Sequence, residues 1–147
     1  MLQIKIKPFN TLTTQELYDL LQLRSEVFVV EQDCVYQDVD GKDQKALHVL
    51  GYKDEKLIAY TRVFKPGFYF KEACIGRVVV VENERQFKYG YSIMEASIEA
   101  IKEHYNETTI KISAQTYLKK FYTNLGFDIV GEEYLEDDIP HIAMIKR

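Results

Sequence analysis

An α/β fold in one domain, residues 1–147, is predicted for this chain on three observations. Segments with period-two hydrophobic alternation alternate along the chain with segments of helical spacing, an order that builds a sheet covered by helices. The unbroken run Val78–Val81 reads as a strand buried on both faces in the middle of that sheet. With 46% hydrophobic and 29% charged residues, 147 positions suffice for one core and leave no room for a second domain.

The elements follow in order. Leu2, Ile4 and Ile6 alternate with Gln3, Lys5 and Lys7 as in a strand with one covered face, and Pro8 closes it. In "TLTTQELYDLLQLRSEVFVVEQ", Thr13 with Glu16 three residues on is a capping-box signature. Leu17, Leu20, Leu21, Arg24, Val27 and Phe28 then repeat at helical spacing. "ALHVLGYKDEKLIAYTRVF" is a hairpin of two apolar runs joined by "KDEK", and Pro66–Gly67 marks a turn. Ala73 to Val81 is the next strand. From about Tyr89 a helix places Met94, Ile98, Ile101 and Tyr105 on one side. "TTIKISA" is a strand with Ile110 and Ile112 inward, and "QTYLKKFYTNLGF" a short helix that ends with Gly126 suited to a left-handed position. Two late strands, "DIV" and "HIAMIK", flank the acidic connection "GEEYLEDDIP".

Composition excludes several function classes. With 19 basic and 23 acidic side chains the net charge is -4, so no surface-wide positive field exists to hold nucleic acid or anionic lipid, and any anion site is local. "MLQIKIKPFN" lacks the long apolar stretch of a signal peptide or membrane span, so a cytoplasmic location is expected. Cys34 and Cys74 are too few for a disulfide framework or a zinc knuckle, and both read as free thiols in packing roles. "DVDG" hints at a calcium loop, but in that register Tyr36 and Leu47 occupy ligand positions, so no metal is expected.

The chemistry is concentrated in "RQFKYGYS", the turn between the valine strand and the following helix. A helix N-terminus offers unpaired N–H groups and partial positive charge, which favours phosphate. Gly90 permits close backbone approach, while Arg85 and Lys88 add charge, so a diphosphate suits the turn. The same pattern also serves as a plain strand-to-helix connection. Neither G-x-G-x-x-G nor G-x-x-x-x-G-K-[ST] is present, which disfavours a Rossmann site or nucleotide hydrolysis.

"RVVVVENERQFKYG" resembles the cofactor motif of the GNAT superfamily of acyl-CoA N-acyltransferases, with Arg85 and Gly90 at the motif's ends and Lys88 where the superfamily usually has glycine. "LRSEVFVVEQDCVYQDVDGKD", "FYTNLGF" and "EDDIPHIAM" resemble segments of its ElaA-like branch, so the similarity runs over nearly the whole chain. The resemblance implies a GNAT fold, a mixed central sheet of about six to seven strands flanked by about four helices. It also implies acetyl-CoA as co-substrate, with Val78, Val79 and Val80 pairing the pantetheine arm and Arg85, Gln86, Phe87, Lys88, Tyr89 and Gly90 cradling the diphosphate. One valine N–H would face the thioester oxygen, where charge develops.

Tyr122 matches the tyrosine of the family's "FY" before "LGF" and is the general-acid candidate for the departing thiolate, since a phenol stays protonated at neutral pH. As structure alone, it is an aromatic on the core side of its helix. An alkylammonium acceptor must lose a proton, so a base is expected. His141 in "IPH" ranks first, followed by Glu31 and His48, with Asp138 a poorer fourth; a lone strand histidine such as His48 is commonly structural. The acidic "EQDCVYQDVDGKD" is either a solvated loop or an entrance that favours a cationic acceptor. The expected activity is acetyl transfer to a small-molecule or protein amine. Acyl-homoserine-lactone-synthase-like chemistry, a non-catalytic CoA sensor and an interaction scaffold are the alternatives. No nucleic acid or membrane partner is expected, and a domain of this kind often forms a homodimer.

Overall fold

A computed structural model describes residues 2–147. The chain runs β1 (Gln3–Pro8), α1 (Thr14–Arg24), β2 (Leu47–Lys53), β3 (Lys56–Phe64), β4 (Ala73–Val80), α2 (Tyr89–Tyr105), β5 (Ile110–Gln115), α3 (Lys119–Asn124), β6 (Asp128–Ile129), β7 (Tyr134–Glu136) and β8 (Ile139–Lys146). The strands form an 8-stranded mixed sheet in the order β1-β2-β3-β4-β5-β8-β6, with β7 pairing β8 at its side. All pairings are antiparallel except β4 with β5. No described helix is long and apolar enough to cross a membrane.

Helix α1 begins at the capping box read from the sequence: Thr13 Oγ1 accepts from Glu16 N–H at 3.0 Å, and Glu16 Oε1 accepts from Thr13 N–H at 2.8 Å. It buries Leu20 and Leu23 against Leu50, Leu57 and Tyr60 on one face of the sheet, each leucine contributing about 1.5–3 kcal/mol. Past Arg24 the helix widens into a π-helical stretch, Ser25–Glu31, which carries Phe28 and Glu31 toward the end of β4. Helices α2 and α3 cover the opposite face, where Ile93, Met94 and Ile101 pack with Val49, Ile75 and Ile112. Gly126 ends α3 at φ 96°, the left-handed conformation expected of it.

Two tight hairpins rest on unusual turn residues. Asp54 and Glu55 between β2 and β3, and Asp137 and Asp138 between β7 and β8, all have positive φ, the requirement of the mirror-image turns that suit strand twist. The second hairpin corrects the sequence reading of "GEEYLEDDIP" as a bare connection. Its residues 134–136 form a strand, which charge and the absence of an Asn-Gly or Asp-Gly pair conceal.

Candidate active site

Strands β4 and β5 pair only at Ala73–Ile110 and Cys74–Lys111, then diverge. Toward their C-terminal ends each presents unpaired backbone groups to the gap. On its other side β4 is bulged: the register with β3 shifts between Tyr60 and Arg62, and Arg77 sits at φ 49°, so Arg77 and Val78 together oppose Thr61. A groove of about 390 Å³ opens in the gap, lined by Val78, Val80, Lys88, Gly90, Phe121 and Tyr122 among others.

The groove ends at the N-terminus of α2. No side chain caps this helix and no acidic residue lies in its first turn; Tyr91 N–H donates to Lys88 O at 3.2 Å, and the Tyr89 and Gly90 N–H groups are left for a ligand. Lys88 precedes the helix at φ 60°, ψ 27°. This is the left-handed backbone in which glycine is at home, so a lysine here carries strain of roughly 1–2 kcal/mol while placing an ammonium at the groove. Gly90 is helical, and a Cβ there would come within 3.2 Å of the Phe121 ring. Its bare Cα therefore lets α3 approach α2, a packing reason beside the ligand-approach reason inferred from sequence.

Among the turn residues singled out, Val78, Val79, Val80, Arg85, Lys88 and Gly90 line the groove. Gln86 and Phe87 do not, and the Tyr89 side chain is buried in the core beneath Phe87. Arg85 has three of its five N–H groups engaged: Nη1 and Nη2 donate to the Glu31 carboxylate at 2.6 and 2.8 Å, and Nε donates to Val80 O at 3.0 Å. The same fork ties up Glu31, the second base candidate, at the groove mouth.

The catalytic candidates separate. Tyr122 is buried, lines the groove and also lines a second cavity, and its hydroxyl has no hydrogen-bond partner among the described residues. Burial pushes its phenol well above the usual range, with Tyr117 adding to the effect. His141 lines the second cavity. Its Nδ1–H donates to Ile139 O at 2.7 Å, which leaves Nε2 to accept a proton, and Glu136 lies 3.6 Å from Nε2. Asp138 is an exposed turn residue that lines neither cavity. His48 is fully buried away from both. Its Nε2–H donates to Asp43 O at 2.9 Å and its Nδ1 accepts from Tyr60 Oη at 2.6 Å, while burial holds it neutral. No lone pair of His48 is free for a substrate, the structural role common for a strand histidine.

The second cavity, about 120 Å³, shares Phe28, Gln32, Val78, Gln115, Leu118 and Tyr122 with the groove, so the two meet around Val78 and Tyr122. Sequence reading missed its polar lining. Ser113 contacts the Tyr134 hydroxyl and donates to Glu136 Oε1 at 3.4 Å, so Ser113, Glu136 and His141 form one cluster on β5, β7 and β8. Cys34 lines the cavity as well, half-buried and donating weakly to Asp137 O, whereas Cys74 is buried with its thiol pushed up to about 12 by desolvation.

Beneath the cavity lies a closed ring in which arginines and aspartates alternate. Arg24 contacts Asp38 at 2.8 Å, Asp38 contacts Arg77 at 2.8 Å, and Arg77 reaches Asp40 at 3.4 Å. Asp40 forks Arg62 at 2.8 and 2.9 Å, Arg62 contacts Asp43 at 3.0 Å, and Asp43 closes on Arg24 at 2.8 Å. Arg24 and Arg62 are 0% and 1% exposed. Asp38, Asp40 and Asp43 of the acidic run are therefore spent on buried guanidinium groups rather than left to solvent or to a cationic acceptor, while Glu31 and Asp33 of the same run are exposed. The signal lay in Arg24 on the apolar stripe of α1 and Arg62 within "LIAYTRVF", charges that burial permits only with counterions.

The ring makes stability acid-sensitive. Burial alone would raise Asp40 and Asp43, but Arg62, then the Lys42 N–H, then Arg77 outweigh it at Asp40, and Arg24 and Arg62 outweigh it at Asp43, so both carboxyls sit below the usual range. Between the folded values and the unfolded value of about 3.9 the unfolded chain binds more protons, so this stability is full above roughly pH 5 and drains away as pH falls further. Urea midpoints measured at pH 7, 5, 4 and 3 should hold from 7 to 5 and drop steeply from 5 to 3. A flat profile across that lower interval would show that the aspartates are not held ionised by the arginines.

Comparison with known proteins gives consistent results. The family described as "Acetyltransferase (GNAT) domain" matches residues 10–147. Protein ElaA of Escherichia coli is 43% identical over 140 residues, 94% of this chain and 92% of that protein. The crystal structure of Escherichia coli ElaA superposes with a TM-score of 0.92 over 100% of both chains, at 40% identity. An acyl-CoA N-acyltransferase from Pseudomonas aeruginosa gives a TM-score of 0.93 at 43% identity, again over 100% of both chains. A CoA-dependent acyl-homoserine lactone synthase shares the fold at 16% identity, with a TM-score of 0.77 over 99% of this chain and 82% of that one.

Proposed function

The chain belongs to the GNAT acetyltransferase family, and from that premise we propose that it transfers an acetyl group from acetyl-CoA directly to a primary amine. The observation that carries this reading is the meeting of two cavities at Val78 and Tyr122. One is the larger and mostly apolar, with a helix N-terminus at its end, and the other is smaller, with polar and aromatic side chains in its wall. The pantetheine arm lies along the unpaired edge of β4 at Val78–Val80, and the diphosphate sits on the first N–H groups of α2 with the Lys88 ammonium beside it. Arg85, held by Glu31, keeps one further N–H on each Nη for that contact.

In the transfer step the amine nitrogen attacks the thioester carbon, a C–N bond forms and the C–S bond breaks. A backbone N–H at the β4 bulge stabilises the oxygen as it gains charge. Tyr122 gives its proton to the departing thiolate and is reprotonated by the second proton that the nitrogen sheds as it becomes the amide. His141 Nε2 takes the ammonium proton, and the Glu136 carboxylate stabilises the imidazolium that results. Glu31, His48 and Asp138 have no part in the proton transfers.

The test is thiol release from acetyl-CoA by purified protein with a panel of amines, run beside calorimetric titration with coenzyme A. Release that depends on the amine supports transfer. Coenzyme A binding without release identifies a sensor, and absence of both leaves a scaffold. The same assay with long-chain acyl-CoA or an acyl-carrier donor separates acetyl transfer from lactone-synthase-like chemistry.

A further inference from the structure

The acceptor cavity is lined by opposite charges, and this bears on which amines it takes. Glu136 and Asp137 line it from the β7–β8 hairpin, and neither carboxylate is paired with an arginine or lysine among the described residues. Arg62 and Arg77 line it from β3 and β4. The ring beneath neutralises these arginines in sum but does not use all of their N–H groups. Arg77 Nη2 donates to Asp38 O at 2.9 Å, and its Nε lies 2.8 Å from Asp38 Oδ1 but off the hydrogen-bond direction. Its Nη1 has no acceptor among the described residues and is not among the sealed atoms of this cavity-lining arginine. Arg62 is 1% exposed, and its Nε is buried without an acceptor. Both Nε atoms are sealed from any ligand, whereas Arg77 Nη1 is not among the sealed atoms and offers a guanidinium edge that a ligand carboxylate could pair.

Tyr69 lines the same cavity as these charges. Burial raises its phenol first of all, Glu136 pushes the same way, and Arg62 and Arg77 act against both. Its ring stacks on Phe64 and lies against Phe70, so the wall between the charged ends is aromatic. A cation alone would leave the arginine edge unmet. An anion alone would face Glu136 and Asp137.

We infer that the acceptor is an α-amino-acid-like zwitterion, a primary amine with a carboxylate on the adjacent carbon and an apolar or aromatic side chain, its ammonium toward Glu136 and its carboxylate on Arg77 Nη1. This rests on the transfer reading given above. The carboxylate would anchor the amine while His141 takes its proton, so the gain appears mainly in KM.

Matched probes test this with the full chain: phenylalanine against 2-phenylethylamine, and leucine against 3-methylbutylamine, as acceptors in acetyl-CoA turnover. The amino acid of each pair should show kcat/KM about 10- to 100-fold higher, the range of a charge-assisted hydrogen bond. Arg77→Gln should erase that gap by raising the KM of the amino acid. Calorimetric titration of phenylalanine into the wild-type protein saturated with coenzyme A gives a readout that needs no variant, with binding expected for phenylalanine and at least about tenfold weaker binding for 2-phenylethylamine. Amine-dependent thiol release with no advantage for the carboxylate overturns the acceptor class and leaves acyl transfer standing. No release from protein that binds coenzyme A overturns both.

Discussion

Replacing Tyr122 with phenylalanine is expected to slow amine-dependent thiol release by about 100-fold or more while leaving coenzyme A affinity within about twofold. The ring of Tyr122 is 5% exposed and packs edge-on against Phe121 and Phe127, so a phenylalanine keeps every apolar contact and loses only the hydroxyl. That hydroxyl has no other task, because no described residue hydrogen-bonds it. Its place at the junction of the two cavities is where the sulfur would leave. Burial raises the phenol above its ordinary value, so it remains a proton donor through neutral and mildly alkaline pH. Wild-type turnover should accordingly show no alkaline loss below about pH 10 that Tyr122→Phe removes. Steady-state rates and a coenzyme A titration on the same preparation decide the matter, and turnover within a few-fold of wild type would take Tyr122 out of the reaction.

Much of this architecture is legible in local chemistry alone. Thr13 and Glu16 announce the start of α1, the valine run announces a central strand, and Gly126 announces the end of α3. Each of these signals is carried by residues a few positions apart. What stays hidden in the sequence depends on residues far apart in the chain or on backbone conformations that side chains conceal. The ring joins Arg24 to aspartates 14 and 19 residues on, and Arg77 to Asp38 across 39, so its members read singly as surface charge. The bulge places a non-glycine residue, Arg77, at positive φ, and nothing in "IGRVVVV" forecasts it. Glu136 escapes notice because its strand reads as a loop, and Ser113 because only the β5–β8 pairing brings it beside that strand.

The hidden features are connected through Arg77. Its backbone makes the bulge that turns Val78 toward the groove, and its side chain is held by Asp38 and Asp40 from the loop that follows the π-helical stretch. A left-handed arginine in mid-strand is strained by roughly 1–2 kcal/mol and persists because the surroundings hold it. The ring supplies that hold, tying α1, the acidic loop, β3 and β4 to the place where the two cavities meet.

Arg24→Met should therefore be among the most damaging substitutions in the chain, lowering stability by about 3–5 kcal/mol. Methionine fills nearly the same volume, so no large cavity forms. The loss comes from Asp38 and Asp43, which are 7% and 5% exposed and each surrender a 2.8 Å partner. Arg85→Met makes the control. It also breaks a two-pronged carboxylate contact, but at 41% and 29% side-chain exposure the Arg85–Glu31 pair is screened by solvent and should cost no more than about 1 kcal/mol. Urea unfolding of the two variants at pH 7 compares them directly. Adding Asp38→Asn to Arg24→Met should recover part of the loss, since without Arg24 the buried ring holds three carboxylates against two guanidinium groups, whereas unrelated sites would simply add. Near-equal costs for Arg24→Met and Arg85→Met would mean that water reaches the ring and that burial of its charges does not govern the fold. A large difference with no recovery in the double variant would assign the loss to packing around Arg24 rather than to the uncompensated aspartate.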